Sequence, residues 1–285
     1  MDEVRIINCA SYEESINTLS VIYGIDKEKI LTELNALDIE SIFKNAEYGW
    51  PLHYYMCEKF GIKPILINKI HWFHFSKTLC PALYCKIGIL PTNLILPVLM
   101  RTCYNIIENK SNKRRKSKTK RIRKKLNQKI WSRRKWRKIW YFAFKDLDFN
   151  DRCRFDARVQ DLGPNGMLIK EVGLHPKGGT GHFYECPEIV RGLLAAIDRR
   201  YHTNILDKFI EKGQSCVVTF TTQLDRDIKH IAEPILTYVF KKIRGNELGP
   251  ECNTNYNAKN TTIGTKDILN VESIEMIDGK AMLKT

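Results

Sequence analysis

The sequence has no Cys-x-x-Cys pair: nine cysteines lie singly along 285 residues. An odd number at such spacing argues against a disulfide framework and fits reduced, buried thiols in a cytosolic protein. Long hydrophobic runs are also missing. The most apolar stretch, Ile87 to Met100, spans 14 residues and is broken by Pro91 and Pro97, whereas a bilayer span needs about 20. The opening Met1-Asp2-Glu3-Val4-Arg5 is acidic and lacks the basic-then-apolar order of a secretory leader. These absences predict a soluble, cytoplasmic protein without a membrane span. Acidic residues are absent from one region altogether. Between Lys110 and Lys138 there are 17 Lys or Arg and no Asp or Glu, while the remainder carries 30 basic against 32 acidic residues. The net charge of +15 therefore belongs to one segment on a near-neutral globule.

What is present suffices for a core. Hydrophobic residues make up 43% and charged residues 28%, which excludes a wholly disordered chain. Residues 1–62 read as a helical N-terminal region. Ser11-Tyr12-Glu13-Glu14 has the spacing of a capping box, Gly24 stops that helix, and Asp26 caps the next, whose apolar face is Ile30, Leu31, Leu34 and Leu37. Two helices joined by a glycine turn could read DNA as a helix-turn-helix, but Glu28 and Glu33 on the second oppose phosphate approach. From residue 63 the pattern becomes α+β. Ile65 to Ile67 and Ile70 to Phe75 have strand composition, Pro81 to Lys86 a short helix ending at Gly88, and Trp140 to Phe144 another strand. Residues 146–183 read as loop-rich or β. Pro187 opens a long amphipathic helix that Gly213 stops. Cys216 to Thr222 alternates as a strand, Ile228 to Ile243 is amphipathic, and Ile268 to Ile277 forms the last strand. The expected fold is α+β with a mixed or antiparallel sheet and flanking helices. It covers residues 63–285 and is interrupted by a basic insertion at 108–139.

That insertion lacks an apolar face over Lys113–Lys125 and is predicted to be solvated or flexible, or helical on a partner. Arg114, Arg115, Lys120, Arg121, Arg123, Arg133, Arg134 and Arg137 can neutralise phosphates, while Trp131 and Trp136 can stack on bases. The expected partner is nucleic acid, RNA or DNA, or a ribosomal surface. A solvated insertion whose tryptophans pack on the domain, an anionic membrane surface, and an import-like signal are the alternatives.

The string Trp72-Phe73-His74-Phe75-Ser76-Lys77-Thr78 carries the candidate site. On a strand, Trp72, His74 and Ser76 share one face and His71, Phe73 and Phe75 the other. An imidazole and a hydroxyl beside an aromatic can grip a ribose; a core histidine bonded to a carbonyl is the plainer alternative. His71, His74, Cys80 and Cys85 make a poor zinc set, because a strand aims the two histidines apart. A two-motif phosphodiesterase would need a second His-x-Ser/Thr, which His182, His202 and His230 do not provide. The Gly178-Gly179-Thr180-Gly181 turn lacks the Gly-Lys-Ser/Thr ending of a P-loop. Asp146, Asp148 and Asp151 cluster too tightly in a loop to make a nuclease metal site by themselves.

A strand bearing His-x-Ser, then a short helix ending in Gly-Ile, resembles the first motif of ADP-ribosyltransferases of the diphtheria-toxin-like group. That group includes poly-ADP-ribose polymerases and DarT-type toxins. The resemblance rests on residues 65–91. It implies a sheet core of that type, NAD as substrate, and His74 and Ser76 as the ribose-binding pair. Phe75 stands where many members have Gly. Tyr141-Phe142-Ala143 resembles the second motif of the polymerases, which implies Tyr141 against the nicotinamide. It also implies a later Glu that steadies the oxocarbenium ion. Glu272 is the candidate, with Glu171 and Glu251 as alternatives. The activity implied is ADP-ribosyl transfer to a nucleic acid or a nucleic-acid-bound target by a toxin or phage-defence effector, which as a toxin would have a protein inhibitor. A non-enzymatic nucleic-acid-binding protein and a metal-dependent nuclease are the other readings.

Overall fold

The computed structural model describes residues 5–38, 50–62, 67–90, 163–175, 186–259, 261–278 and 280–284. Local chemistry explains the first helices. In α1 (Tyr12–Tyr23) the Ser11 hydroxyl accepts from the Glu14 backbone N–H, and Gly24 ends the helix in the left-handed conformation at φ 64°. Asp26 caps α2 (Lys27–Ala36) by accepting from Glu28 N–H at 2.9 Å. Ile30, Leu34 and Leu37 face the core, so these two helices use the apolar faces expected of them for packing. Pro51 starts α3 (Pro51–Phe60).

A seven-stranded sheet organises the rest, in the order β5-β3-β2-β4-β6-β7, with β1 beside β2. Its strands are β1 (Ile6–Ile7), β2 (Lys69–Thr78), β3 (Asn165–Met167), β4 (Gln214–Gln223), β5 (Asn255–Asn257), β6 (Ile268–Ile277) and β7 (Lys280–Leu283). The β1–β2 pair is parallel and the others antiparallel, so the chain is α+β as its patterning indicates. Strand β2 is central, and Trp72, Phe73, Phe75 and Ser76 are buried on its two faces. Between β2 and β3 the described chain adds a 3₁₀ turn (Pro81–Leu83) and the four-residue helix α4 (Tyr84–Ile87). The remaining helices are α5 (Lys170–Leu174), α6 (Glu188–Tyr201), α7 (Ile205–Lys212) and α8 (Lys229–Ile243).

The helical N-terminal region packs on the sheet: β1 joins it, and Ile7, Leu19, Ile30 and Leu52 share one hydrophobic cluster with β2, β4 and α8. Two expectations change. The long helix after Pro187 is two helices. His202 turns to φ 49°, and the Asp198 carboxylate accepts from Ile205 N–H at 2.7 Å and Leu206 N–H at 2.9 Å, which starts α7 anew. Strand β6 does not end the fold, since β7 folds back on it. The strand expected at 140–144 and the insertion at 108–139 lie outside the described residues.

One buried carboxylate ties the two ends of the chain together. Glu233, in the middle of α8, accepts from the first amides of α3, Leu52 N–H at 3.2 Å and His53 N–H at 2.7 Å. Trp50 supplies no side-chain cap, so a residue 180 positions away does that work. Burial still holds the Glu233 carboxyl up at about 7. Below it, His53 Nδ1 meets the Tyr23 hydroxyl at 2.9 Å. Among the described residues no helix is long and apolar enough to cross a membrane.

Candidate functional site

Strand register decides which candidate residues meet. His74 pairs with Val218 of β4, and Val218 with Val271 of β6; Ser76 pairs with Cys216, and Cys216 with Ser273. Cross-strand partners point to the same face. Trp72, His74 and Ser76 therefore share a face with Phe220, Val218 and Cys216. Phe75 pairs with Val217, and Val217 with Glu272, so Glu272 projects from the opposite face. Packing agrees. Phe73 and Phe75 lie under α5, where the Lys170 ammonium stands 5.8 Å from the Phe73 ring centre and Gly173 abuts the Phe75 ring. A Cβ on Gly173 would fall 2.2 Å from that ring.

Glu272 is committed on that side to Lys170, whose Nζ donates to Oε2 at 2.6 Å. Lys170 has 8% of its side chain exposed and Glu272 26%. Removing one partner of so buried an ion pair would strand the other, which is strongly destabilising. The structure does not bring Glu272 together with His74: alternation along β6 places the carboxylate on the other side of the sheet. The two alternatives are engaged by α8. Glu171 accepts from Tyr238 Oη at 2.5 Å and Lys242 Nζ at 2.7 Å, and Glu251 pairs with Lys241.

On the other face, His74 is half-buried and its Nδ1 lies 2.7 Å from the Asn165 carbonyl oxygen. A carbonyl can only accept, so Nδ1 carries the proton. Burial lowers the histidine below its usual pKa, against the pull of that carbonyl. The ring is thus neutral, and Nε2 is left as an acceptor. This geometry contains the plainer alternative, a histidine bonded to a carbonyl, and also a fixed tautomer with one nitrogen to spare. Ser76 is 8% exposed and lies near Tyr84 of α4. The Tyr84 ring meets His74 edge-on, with centres 6.3 Å apart and planes at 75°. Burial pushes the Tyr84 phenol and the neighbouring Cys216 thiol each up to about 12, so both are neutral. Cys216 is no nucleophile in that state.

Trp72 belongs to the core. It is fully buried, donates from Nε1 to Thr222 Oγ1 at 2.9 Å, and stacks on Tyr256 with centres 5.4 Å apart. Cys80 and Cys85 are exposed, and among the described residues no group of His, Cys, Asp or Glu could hold a metal ion. Tyr141 and the basic candidates Arg114 to Arg137 lie outside the described residues.

Sequence reasoning passed over Tyr84, although the short helix it identified carries this residue. It also passed over Asn165, which acts through a backbone carbonyl and leaves no side-chain signal. The arrangement offers a sugar hydroxyl one imidazole acceptor and one serine hydroxyl from a rigid central strand, with an aromatic over both. No protein-family model, curated protein or solved structure matches the chain.

Proposed function

We propose that this protein is an ADP-ribosyltransferase-like enzyme that uses NAD as substrate and modifies a nucleic acid or a nucleic-acid-bound target in the cytoplasm, as a toxin or defence effector does. One observation carries the reading. His74 and Ser76 project together from a central strand, the strand leads directly into a short helix closed by Gly88, and the Asn165 carbonyl fixes the His74 tautomer. That element order is the one the resemblance implies. In the proposed reaction, Nε2 of His74 accepts a ribose hydroxyl and Ser76 takes its neighbour. The bond between the ribose C1′ and the nicotinamide nitrogen breaks and its electron pair leaves with nicotinamide. The acceptor's lone pair then forms the new bond at C1′, and the acceptor loses a proton. Positive charge developing on the sugar calls for an anionic group nearby. Glu272 is not that group, because Lys170 holds it on the far face. The basic segment Lys110–Lys138 would bring a polyanionic acceptor to the site.

The test is release of labelled nicotinamide from NAD with and without RNA or DNA. The reading expects release that nucleic acid stimulates and that His74→Ala abolishes. A second reading has an observation of its own. Glu171, Glu251 and Glu272 are all engaged by lysines of α5 or α8, as a non-enzymatic nucleic-acid-binding module would permit. Salt-sensitive nucleic-acid binding without nicotinamide release under any condition would establish that module and return His74 to a structural role.

A further inference from the structure

The strand order runs from β5 at one end to β7 at the other, so each presents an edge among the described residues. Along an antiparallel strand, successive residues turn their N–H and C=O groups inward to the neighbour, then outward to the edge. In β5, Leu168 N–H bonds Thr254 O at 3.1 Å and Ala258 N–H bonds Pro164 O at 3.0 Å, so Asn255 faces outward. That edge is obstructed, because Arg226 Nη1 donates to the Asn255 carbonyl at 3.2 Å. In β7, Lys284 N–H bonds Ser273 O at 2.9 Å, so Ala281 and Leu283 face outward. Among the described residues nothing hydrogen-bonds their outward groups. This edge is open.

Its side chains alternate as well. Lys280, Met282 and Lys284 share one face and are all exposed, Met282 at 49%. The neighbouring Met276 and Ile277 of β6 are 52% and 44% exposed although apolar. Glu275 lies opposite Met282 but one strand in, so the edge itself carries lysine charge alone. A second copy fits it poorly. The register that joins Ala281 to the copy's Leu283 sets Lys280 against the copy's Lys284, and like charges directly opposite are destabilising. Edge lysines oppose a like strand and favour one of opposite charge.

We propose that β7 is a docking edge for an extended acidic segment of a partner protein. The segment adds beside β7 and exchanges main-chain hydrogen bonds with Ala281 and Leu283. It sets carboxylates opposite Lys280 and Lys284 and an apolar residue opposite Met282. Main-chain bonds give such an addition its affinity, and alternate side chains give its selectivity. The proposal is independent of the ribose reading.

The probe is the capped peptide Thr-Glu-Val-Leu-Val-Glu-Thr, compared calorimetrically with Thr-Lys-Val-Leu-Val-Lys-Thr on the full chain. Hydrogen exchange at the Ala281 and Leu283 amides is followed in parallel. The docking edge predicts that the acidic peptide binds about 10-fold or more tightly than the basic one and slows exchange at both amides. Reversing the edge charge with Lys280→Glu and Lys284→Glu together, at two exposed positions, reverses the preference. Ala281→Pro, which removes an outward N–H and no bond to β6, weakens the acidic peptide. Equal binding of the two peptides, a preference that charge reversal leaves unchanged, or binding of neither overturns the proposal. Exchange at those amides that slows with protein concentration alone assigns the edge to a second copy and overturns it too.

Discussion

The two faces of the sheet are built on different principles. One lies under α5, where the charged groups are matched, Lys170 to Glu272, and Tyr238 and Lys242 to Glu171, although the buried Thr221 hydroxyl of that face finds no partner among the described residues. On the other, at the Ser76 end, the Pro81–Ile87 turn lies over the sheet with Tyr84 as its buried residue, and His74 has one ring nitrogen fixed by the Asn165 carbonyl. Matched charges and large side chains are what stability requires. A lightly covered strand with oriented polar groups is what binding requires. The same registers put a glutamate of suitable sequence position on the face away from His74.

Removing an aromatic from the tightly packed face gives the largest effect. Phe73→Ala, at a fully buried position, should cost about 3–5 kcal/mol in urea unfolding. Next is Glu272→Gln, which strands the Lys170 ammonium. It should cost about 3 kcal/mol while leaving nicotinamide release per folded molecule unchanged. Loss of release at full stability would move Glu272 back into the site. Gly173→Ala drives a Cβ into the Phe75 ring and should cost about 1–3 kcal/mol. Tyr84→Phe on the other face removes only a hydroxyl and keeps the ring, and should cost about 1 kcal/mol or less. A cost equal to that of Phe73→Ala would erase the contrast between the faces.

A fifth comparison uses pH. Glu233 has a folded pKa of about 7 against an ordinary value of 4.5, so the folded state binds its proton more tightly than the unfolded state does. Its contribution is greatest below pH 4.5 and is lost as pH rises through about 7. His53 opposes this: burial lowers its pKa, so its contribution falls as pH drops below 6.5. The difference between wild type and Glu233→Gln isolates the carboxyl. The stability of the wild type relative to the variant should decline from pH 4.5 to 7.5 in urea titrations, and a flat difference would contradict the buried-carboxyl account.

Much of this architecture was legible because its signals are local. The Ser11 and Asp26 caps, the strand composition around His74, the alternation of β4 and the Gly88 stop each depend on neighbouring residues. Strands β1, β3, β5 and β7 are two to four residues long, too short to show alternation, and exist through their partners. The break between α6 and α7 depends on Asp198 reaching seven residues forward to an amide. The side of the sheet that Glu272 takes was not readable at all. It follows from two successive registers, β2 on β4 and β4 on β6, and a shift of one residue in either would have reversed it. Residues 74 and 76 were legible as a pair for the same reason that Glu272 was not: they share a strand.

The central claim is that chemistry belongs to the His74 face and stability to the Glu272 face. The most direct measurement is nicotinamide release from NAD, in the presence of nucleic acid, by wild type, His74→Ala and Glu272→Gln at matched folded concentration. The account predicts release by wild type and Glu272→Gln and none by His74→Ala. Release that survives in His74→Ala and vanishes in Glu272→Gln would contradict it.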